Sequence, residues 1–198
     1  MSGSSRRGRP PRATDARERI RDAAREQFLA GGYHAVTMRS IAAQAEVDVA
    51  LVSYYFGSKQ GVFGAAMALP ITPAEVIADE LEGDMDTFAE RLLARVLALW
   101  DDPQSGAPLA ALASMALGDP KIRQLVSEAI SREVVARLAA ALDGPEREER
   151  ASAFCTIISG VVFSRYLLAM EQFTALDADD VVRLMAPSLQ PLITREPG

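Results

Sequence analysis

Apolar residues recur every three or four positions along most of the chain, and nowhere do they alternate convincingly with polar residues at every second position. The first spacing places side chains on one face of an α-helix, whereas alternation is the pattern of a half-buried strand. One long stripe comprises Ile122, Val126, Ala129, Ile130, Val134, Leu138 and Leu142. The sequence therefore predicts an all-α fold, with its 198 residues in one domain or two small ones.

The N-terminal quarter of the chain contains the spacing of three short helices. Thr14 is a suitable cap for the first helix, and Gly31-Gly32 is a suitable stop. A second helix begins after Thr37, and after a turn at residues 46–48 a third helix runs from Val49 to Phe56. Two short helices joined by three residues are typical of a helix-turn-helix.

The net charge of -6 is unevenly distributed along the chain. Residues 1–60 contain ten basic and six acidic residues, whereas residues 61–198 contain eleven basic and twenty-one acidic residues. The basic surplus consists of Arg6, Arg7, Arg9 and Arg12. We expect residues 1–13 to form a disordered basic arm that contacts phosphates, although a solubilising terminus has the same composition. The acidic remainder argues against nucleic-acid binding over the whole surface.

The sequence offers few residues for catalysis or metal binding. One cysteine, Cys155, and one histidine, His34, cannot form an internal disulfide or a zinc site. The segment Gly57-Ser58-Lys59 lacks the upstream glycine of a phosphate-binding loop. We therefore predict no catalytic residues, no metal and no cofactor, and a helical-bundle enzyme is a remote alternative.

The longest uncharged stretches are residues 60–74, 103–118 and 151–164. Each is shorter than the roughly 18 to 20 apolar residues that a membrane-spanning helix needs. No apolar run follows the N-terminal arginines, as it would in a secretory signal. We therefore expect a cytoplasmic protein without a membrane partner.

Two long helices are predicted in the second half of the chain, after a break from Pro103 to Pro108. The first covers about residues 120–143 and has one polar side, whereas the second, residues 145–173, is apolar on almost every side. A helix that is apolar all round must be covered all round. This pattern favours a homodimer, although a central helix in a monomer would show it too. The predicted interface comprises Ile130, Val134, Ile158, Gly160, Val161 and Arg165.

The segment from Thr37 to Lys59, TMRSIAAQAEVDVALVSYYFGSK, resembles the DNA-binding signature of the tetracycline-repressor (TetR) family of bacterial transcription regulators. The threonine opening, the Ile-Ala pair, the valine of the turn, the aromatic cluster and Gly-Ser-Lys are all in register. Two residues depart from the pattern, Glu46 in place of a frequent glycine and Asp48 in place of a serine or threonine cap. Asp48 is still able to cap the third helix through its carboxylate.

The resemblance implies a helix-turn-helix DNA-binding domain at residues 14–58 and a helical effector-binding and dimerisation bundle at residues 59–198. The third helix is expected to enter the major groove of double-stranded DNA, with Ser53 and Tyr54 carrying most of the direct readout. Helix starts at Thr37 and Lys59 suit phosphates. The complete set of expected DNA contacts is Thr37, Arg39, Val49, Ala50, Leu51, Ser53, Tyr54, Tyr55 and Lys59.

The resemblance also implies an effector pocket, and we expect apolar residues of the middle helices, mainly methionine and aromatic residues, to line it. The candidates are Met67, Met85, Phe88, Leu92, Trp100, Met115, Phe154 and Phe163. Their lack of charge favours an apolar or aromatic effector, although the same residue types build ordinary cores. We predict a dimeric repressor that binds an inverted-repeat operator and is released by an apolar small molecule. A DNA-binding regulator without any effector is the main alternative.

Overall fold

The protein is represented by a computed structural model that describes residues 13–194, with side chains from residue 15 onward. The helices are α1 (Ala13–Ala35), α2 (Met38–Gln44), α3 (Val49–Phe56), α4 (Lys59–Ala66), α5 (Pro73–Leu81), α6 (Phe88–Asp101), α7 (Pro103–Gly118), α8 (Pro120–Ile130), α9 (Ala136–Ala141), α10 (Arg147–Val162), α11 (Glu171–Thr174) and α12 (Ala178–Ile193). A 3₁₀ turn, Met85–Thr87, precedes α6, and π-helical turns, Ser131–Val135 and Phe163–Leu167, follow α8 and α10. The all-α prediction is confirmed. The predicted basic arm lies outside the described residues, apart from Ala13.

The short N-terminal helices begin and end where the sequence provides caps. Thr37 and Ser40 form a reciprocal capping box at the start of α2, and the Asp48 carboxylate accepts a hydrogen bond of 2.7 Å from the N–H of Ala50 in α3. Gly32, at φ 75°, interrupts α1 because its backbone lies in the left-handed region. Since α1 begins at Ala13, the prediction of Thr14 as its cap is wrong.

The predicted break between Pro103 and Pro108 is wrong, because α7 is continuous from Pro103. Asp102 caps its first turn, where proline costs no hydrogen bond. The Ser105 hydroxyl donates to the carbonyl of Leu99 at 2.8 Å and fastens this turn to the end of α6. This bond and the Asp102 cap stabilise the start of a helix that Pro108, in its interior, would otherwise disfavour.

The predicted single helix over residues 145–173 ends early. After the π-helical turn that follows α10, the chain turns at Ala169, whose φ is 49°, and restarts as α11. The Arg165 guanidinium donates to the carbonyls of Phe173 at 2.6 Å and Leu176 at 2.8 Å. These bonds hold the returning segment against the end of the helix.

Two buried clusters organise the molecule. The N-terminal cluster is formed by residues of α1, α2, α3 and α4, and it includes Leu125 and Ala129 of α8. The second cluster is formed by α5, α6, α9, α10 and α12 together with the π-helical turn after α8, and α6 packs extensively against α12. Helix α8 therefore contributes to the N-terminal cluster, and the π-helical turn that follows it contributes to the second cluster. The domain boundary at residue 58 stays a prediction, and the N-terminal cluster itself continues through α4.

Candidate nucleic-acid interface and ligand cavity

The α2–turn–α3 segment presents most of the predicted DNA-contacting residues to solvent. Val52 is fully buried and anchors α3, which leaves the opposite face of the helix outward. Tyr54 is 81% exposed, an unusual position for so large a side chain within a helical domain. Exposed members of the predicted set are Thr37, Arg39, Val49, Ala50, Ser53 and Tyr54, and half-buried members are Leu51, Tyr55 and Lys59.

The aromatic residues at the end of α3 form a chain of edge-on contacts. The rings of Tyr54 and Tyr55 are 5.3 Å apart, and those of Tyr55 and Phe56 are 6.3 Å apart. The Arg17 guanidinium lies 5.5 Å from the centre of the Phe56 ring. The exposed Tyr54 ring therefore packs on one side against the Tyr55 ring.

The Lys59 side chain, at the start of α4, packs against the protein instead of extending into solvent. Its ammonium lies 4.3 Å from the centre of the Tyr33 ring, a cation–π contact. Burial and the nearby Arg132 lower the pKa of Lys59, against the opposing effect of Glu133. A phosphate contact by this side chain stays a prediction, whereas the Ser58 cap and free N–H groups keep the helix start suited to an anion.

A polar network that the sequence analysis missed fixes α2 against α1. The Gln27 amide donates to the carbonyl of Ser40 at 2.9 Å and to the side chain of Gln44 at 2.7 Å, and Gln44 donates to Glu26 at 2.7 Å. Gln27 also accepts from the Ser40 hydroxyl at 2.7 Å. Solvated polar residues on α1 have no periodic signature, so only the tertiary structure reveals this support.

A cavity of about 570 Å³ lies between α5, α6, α7, α8 and α10; we name it the main cavity. Four predicted pocket residues, Leu92, Trp100, Phe154 and Phe163, line it. The other four do not line it, and a role for them in effector binding stays a prediction. Met67 is buried in the N-terminal cluster, Phe88 packs into the second core, Met85 lies at the edge of that core, and Met115 is exposed outside the lining.

The main cavity contains no charged side chain in its lining. Burial raises the pKa of the Cys155 thiol in its wall to about 11, so this group is neutral at physiological pH. Trp100 stacks on Tyr166, with ring centres 5.2 Å apart. The cavity is therefore suited to a neutral apolar molecule, and Trp100 is held rigidly in its wall.

The predicted dimer-interface residues differ in how much surface a single chain leaves free. Val161 and Val134 are only 3% and 9% exposed in a single chain, so neither has surface left for a partner. The Arg165 guanidinium is engaged by carbonyls of its own chain. Ile130, Ile158 and Gly160 keep exposed surface but also line the main cavity.

A junction between the two halves centres on Glu133, a residue that the sequence analysis did not single out. Its carboxylate accepts from the Tyr33 hydroxyl at 2.8 Å and from the Gln60 amide. Burial, followed by this bond to Glu133, raises the pKa of Tyr33, which stays a neutral donor at physiological pH. Arg137 makes longer contacts of 3.4 Å to Gln60 and to the carbonyl of Ala74.

An exposed recognition helix on a helix-turn-helix, joined to a helical domain, defines a DNA-binding transcriptional regulator. The family model described as bacterial regulatory proteins, tetR family, matches residues 20–66, and the tetracyclin repressor-like C-terminal domain matches residues 86–193. The chain therefore belongs to the TetR family, whose members are transcriptional regulators and not enzymes.

The chain also resembles individual proteins. It is 28% identical over 153 residues to the HTH-type transcriptional regulator BetI of Burkholderia thailandensis. The aligned region covers 73% of this chain and 78% of that protein. A TetR-family regulator from Streptomyces coelicolor A3 is 29% identical with a TM-score of 0.49, covering 96% of this chain and 99% of the other. NalD of Pseudomonas aeruginosa, the secondary repressor of the MexAB-OprM multidrug efflux pump, is 16% identical with a TM-score of 0.49. That alignment covers 93% of this chain and 98% of NalD. No helix within residues 13–194 is long and apolar enough to cross a membrane.

Proposed function

We propose that this TetR-family regulator is a ligand-responsive repressor that binds an inverted-repeat operator as a homodimer and is released by a neutral, apolar small molecule. The observation that carries the proposal is the main cavity, about 570 Å³ without a charged lining residue, in the same chain as an exposed recognition helix. Apolar pockets of this size are typical small-molecule sites.

Recognition of DNA rests on the outward face of α3. Val49 and Ala50 supply apolar contact for thymine methyl groups, whereas Ser53 and Tyr54 supply hydroxyls for hydrogen bonds to base edges. Arg39, exposed on α2, is placed to contact phosphate. The operator is to be identified by selecting duplexes from a random-sequence library with the purified protein.

Arg39→Ala and Tyr54→Ala are expected to weaken DNA binding in different ways. Loss of a phosphate contact at Arg39 should weaken all duplexes alike and reduce the slope of log affinity against log salt by about 1. Loss of Tyr54 should reduce discrimination at the base pairs it contacts by about 1 to 3 kcal/mol. Titration of selected and scrambled duplexes at several salt concentrations measures both quantities. Equal losses on both duplexes for Tyr54→Ala would remove it as a base-reading residue.

The proposed dimer surface combines the outward faces of α10 and α12. Ser152, Thr156 and Gly160 on α10 are exposed and uncharged, and Leu184 on α12 is 51% exposed. Helix α8 instead packs against α1 and α7 of its own chain, and its Leu125 and Ala129 belong to the N-terminal cluster. We therefore place α12, and not the helix predicted over residues 120–143, beside α10 in the proposed interface. Two-fold symmetry then requires half-sites about 34 Å apart.

A neutral alkyl-aromatic compound is expected to change the fluorescence of Trp100 and to weaken operator binding by about 5 to 150-fold. Trp100 is the single tryptophan and lines the main cavity, so its emission reports a bound ligand directly. A carboxylate analogue of the same size is the matched control, since the uncharged lining would leave its charge unpaired. Linkage requires operator DNA to weaken the ligand by the same factor. Tight binding without this reciprocal effect would favour the regulator without an effector.

A further inference from the structure

A second, smaller cavity of about 150 Å³ lies where the two halves of the chain meet; we name it the junction cavity. Its lining includes Tyr33, Gln60 and Phe63 of the N-terminal half together with Glu133, which is hydrogen-bonded to Tyr33 and Gln60. Seven residues line both this cavity and the main cavity, among them Trp100. The two cavities are therefore neighbours, with these shared side chains between them.

The walls of the junction cavity are the groups that bond the two halves together. The Glu133 carboxylate accepts from the Tyr33 hydroxyl and from the Gln60 amide, and all three residues line the cavity. A group larger than the roughly 150 Å³ of this space would have to displace them. Glu133 also lies on the π-helical turn after α8, whose neighbours Ile130 and Val134 line both cavities. Such turns occur frequently at functional sites.

Movement of Tyr33 and Gln60 would be passed to the DNA-binding helices. Tyr33 stacks on Phe28 at 5.6 Å and meets Phe63 of α4 edge-on at 5.3 Å, so α1 and α4 are joined by one aromatic cluster. Gln60 lies in the first turn of α4, which also packs against α3. Packed clusters of this kind shift as units because they have little free volume.

We propose that the junction cavity is a trigger subsite, an inference that rests on the effector function proposed above. An uncharged apolar ligand long enough to enter it separates Tyr33 and Gln60 from Glu133 and releases DNA. A shorter ligand confined to the main cavity binds without releasing DNA. The reason is thermodynamic, because a ligand shifts an equilibrium only by its difference in affinity for the two states.

Leu112→Phe and Met115→Phe provide a matched test on α7. Leu112 lines only the junction cavity, whereas Met115 is exposed and lines neither cavity. Added bulk at Leu112 should mimic a trigger ligand and lower the affinity of the ligand-free protein for a library-selected duplex at least about fivefold. Met115→Phe should leave that affinity unchanged. Equal affinities of Leu112→Phe and wild type, or equal losses in both variants, would overturn the proposal.

A double-mutant cycle with Glu133→Ala tests the route of the effect. If Leu112→Phe acts by breaking the Glu133 contacts, it should cause no further loss of DNA affinity once Glu133→Ala has removed them. Additive losses would overturn the role of Glu133. Circular dichroism checks that each variant keeps its helical content, and the response of the unsubstituted chain to straight-chain alcohols tests the proposal if the bulkier ring prevents folding.

A series of straight-chain 1-alkanols from hexanol to dodecanol tests the ligand itself on the full chain. Every alcohol that binds should change Trp100 fluorescence, because Trp100 lines both cavities. At saturation only the longer members should release the selected duplex. If all bound alcohols release DNA alike, the trigger subsite is wrong while the effector function stands. If none changes Trp100 fluorescence, the effector function is wrong, and the trigger subsite that rests on it is wrong as well.

Discussion

Replacement of Phe28 by alanine is expected to lower the free energy of unfolding by about 3 to 5 kcal/mol. Phe28 is fully buried, and its ring contacts Tyr33 at 5.6 Å and Phe63 at 5.2 Å. The substitution leaves a void at the centre of the cluster that holds α1 to α4 in place. Urea unfolding followed by circular dichroism measures the loss. Operator affinity should fall with it, because the recognition helix depends on that cluster for its position.

Phe163→Ala is the control for this prediction. Phe163 is partly exposed at the end of α10, and its removal should change the unfolding free energy by only about 0.5 kcal/mol. A similar loss in the two variants would mean that Phe28 makes no special contribution to the N-terminal cluster. A large loss for Phe28→Ala with unchanged operator affinity would mean that the cluster does not position α3.

Gly160→Glu is expected to convert the proposed dimer into a folded monomer and to lower operator affinity by about 10²-fold or more. A side chain at residue 160 meets no atom within 4 Å of its Cβ position, so the single chain has room for it. Across the proposed interface, however, the two-fold axis would bring two carboxylates together without partners. Leu184→Glu on α12 should have the same effect. Light scattering measures the mass, and titration of the selected duplex measures the affinity.

Two further substitutions separate an interface defect from a folding defect. Ser127→Glu adds a carboxylate to the exposed face of α8 and should leave the dimer intact. Val161→Glu should unfold the chain, because Val161 is buried within it and a carboxylate there would be desolvated. Dissociation by Ser127→Glu but not by Leu184→Glu would return the interface to α8. A wild type that is monomeric at micromolar concentration would remove the dimer altogether.

The helix-turn-helix was predictable because its information is local. Thr37, Asp48 and Ser58 cap three consecutive helices through hydrogen bonds to backbone groups within three residues of each cap. Val52 and Tyr54 are two positions apart in α3 and therefore lie on different faces of the helix, one buried and the other exposed. These features require no knowledge of distant parts of the chain, and the resemblance to the TetR family rests on the same segment.

The pocket and the interface were only partly predictable, because residue type does not show what a side chain faces. Phe88 and Phe154 are both fully buried aromatic residues, yet only Phe154 lines the main cavity. Val161 lies on a helix that is apolar on almost every side, and from the sequence we expected a partner subunit to bury it. In the structure Val161 is buried by its own chain. Periodicity records that a position is apolar but not which neighbour buries it.

The sequence by itself determined the all-α class and the helix caps at Thr37 and Asp48, because these depend on contacts between residues close together in the chain. Only the tertiary structure decided the size and lining of the main cavity and the continuity of α7 through its prolines. It also decided the meeting of Tyr33, Gln60 and Glu133, whose members lie up to 100 positions apart. Such long-range contacts arise from how the helices pack, and packing depends on the shapes of all the side chains together.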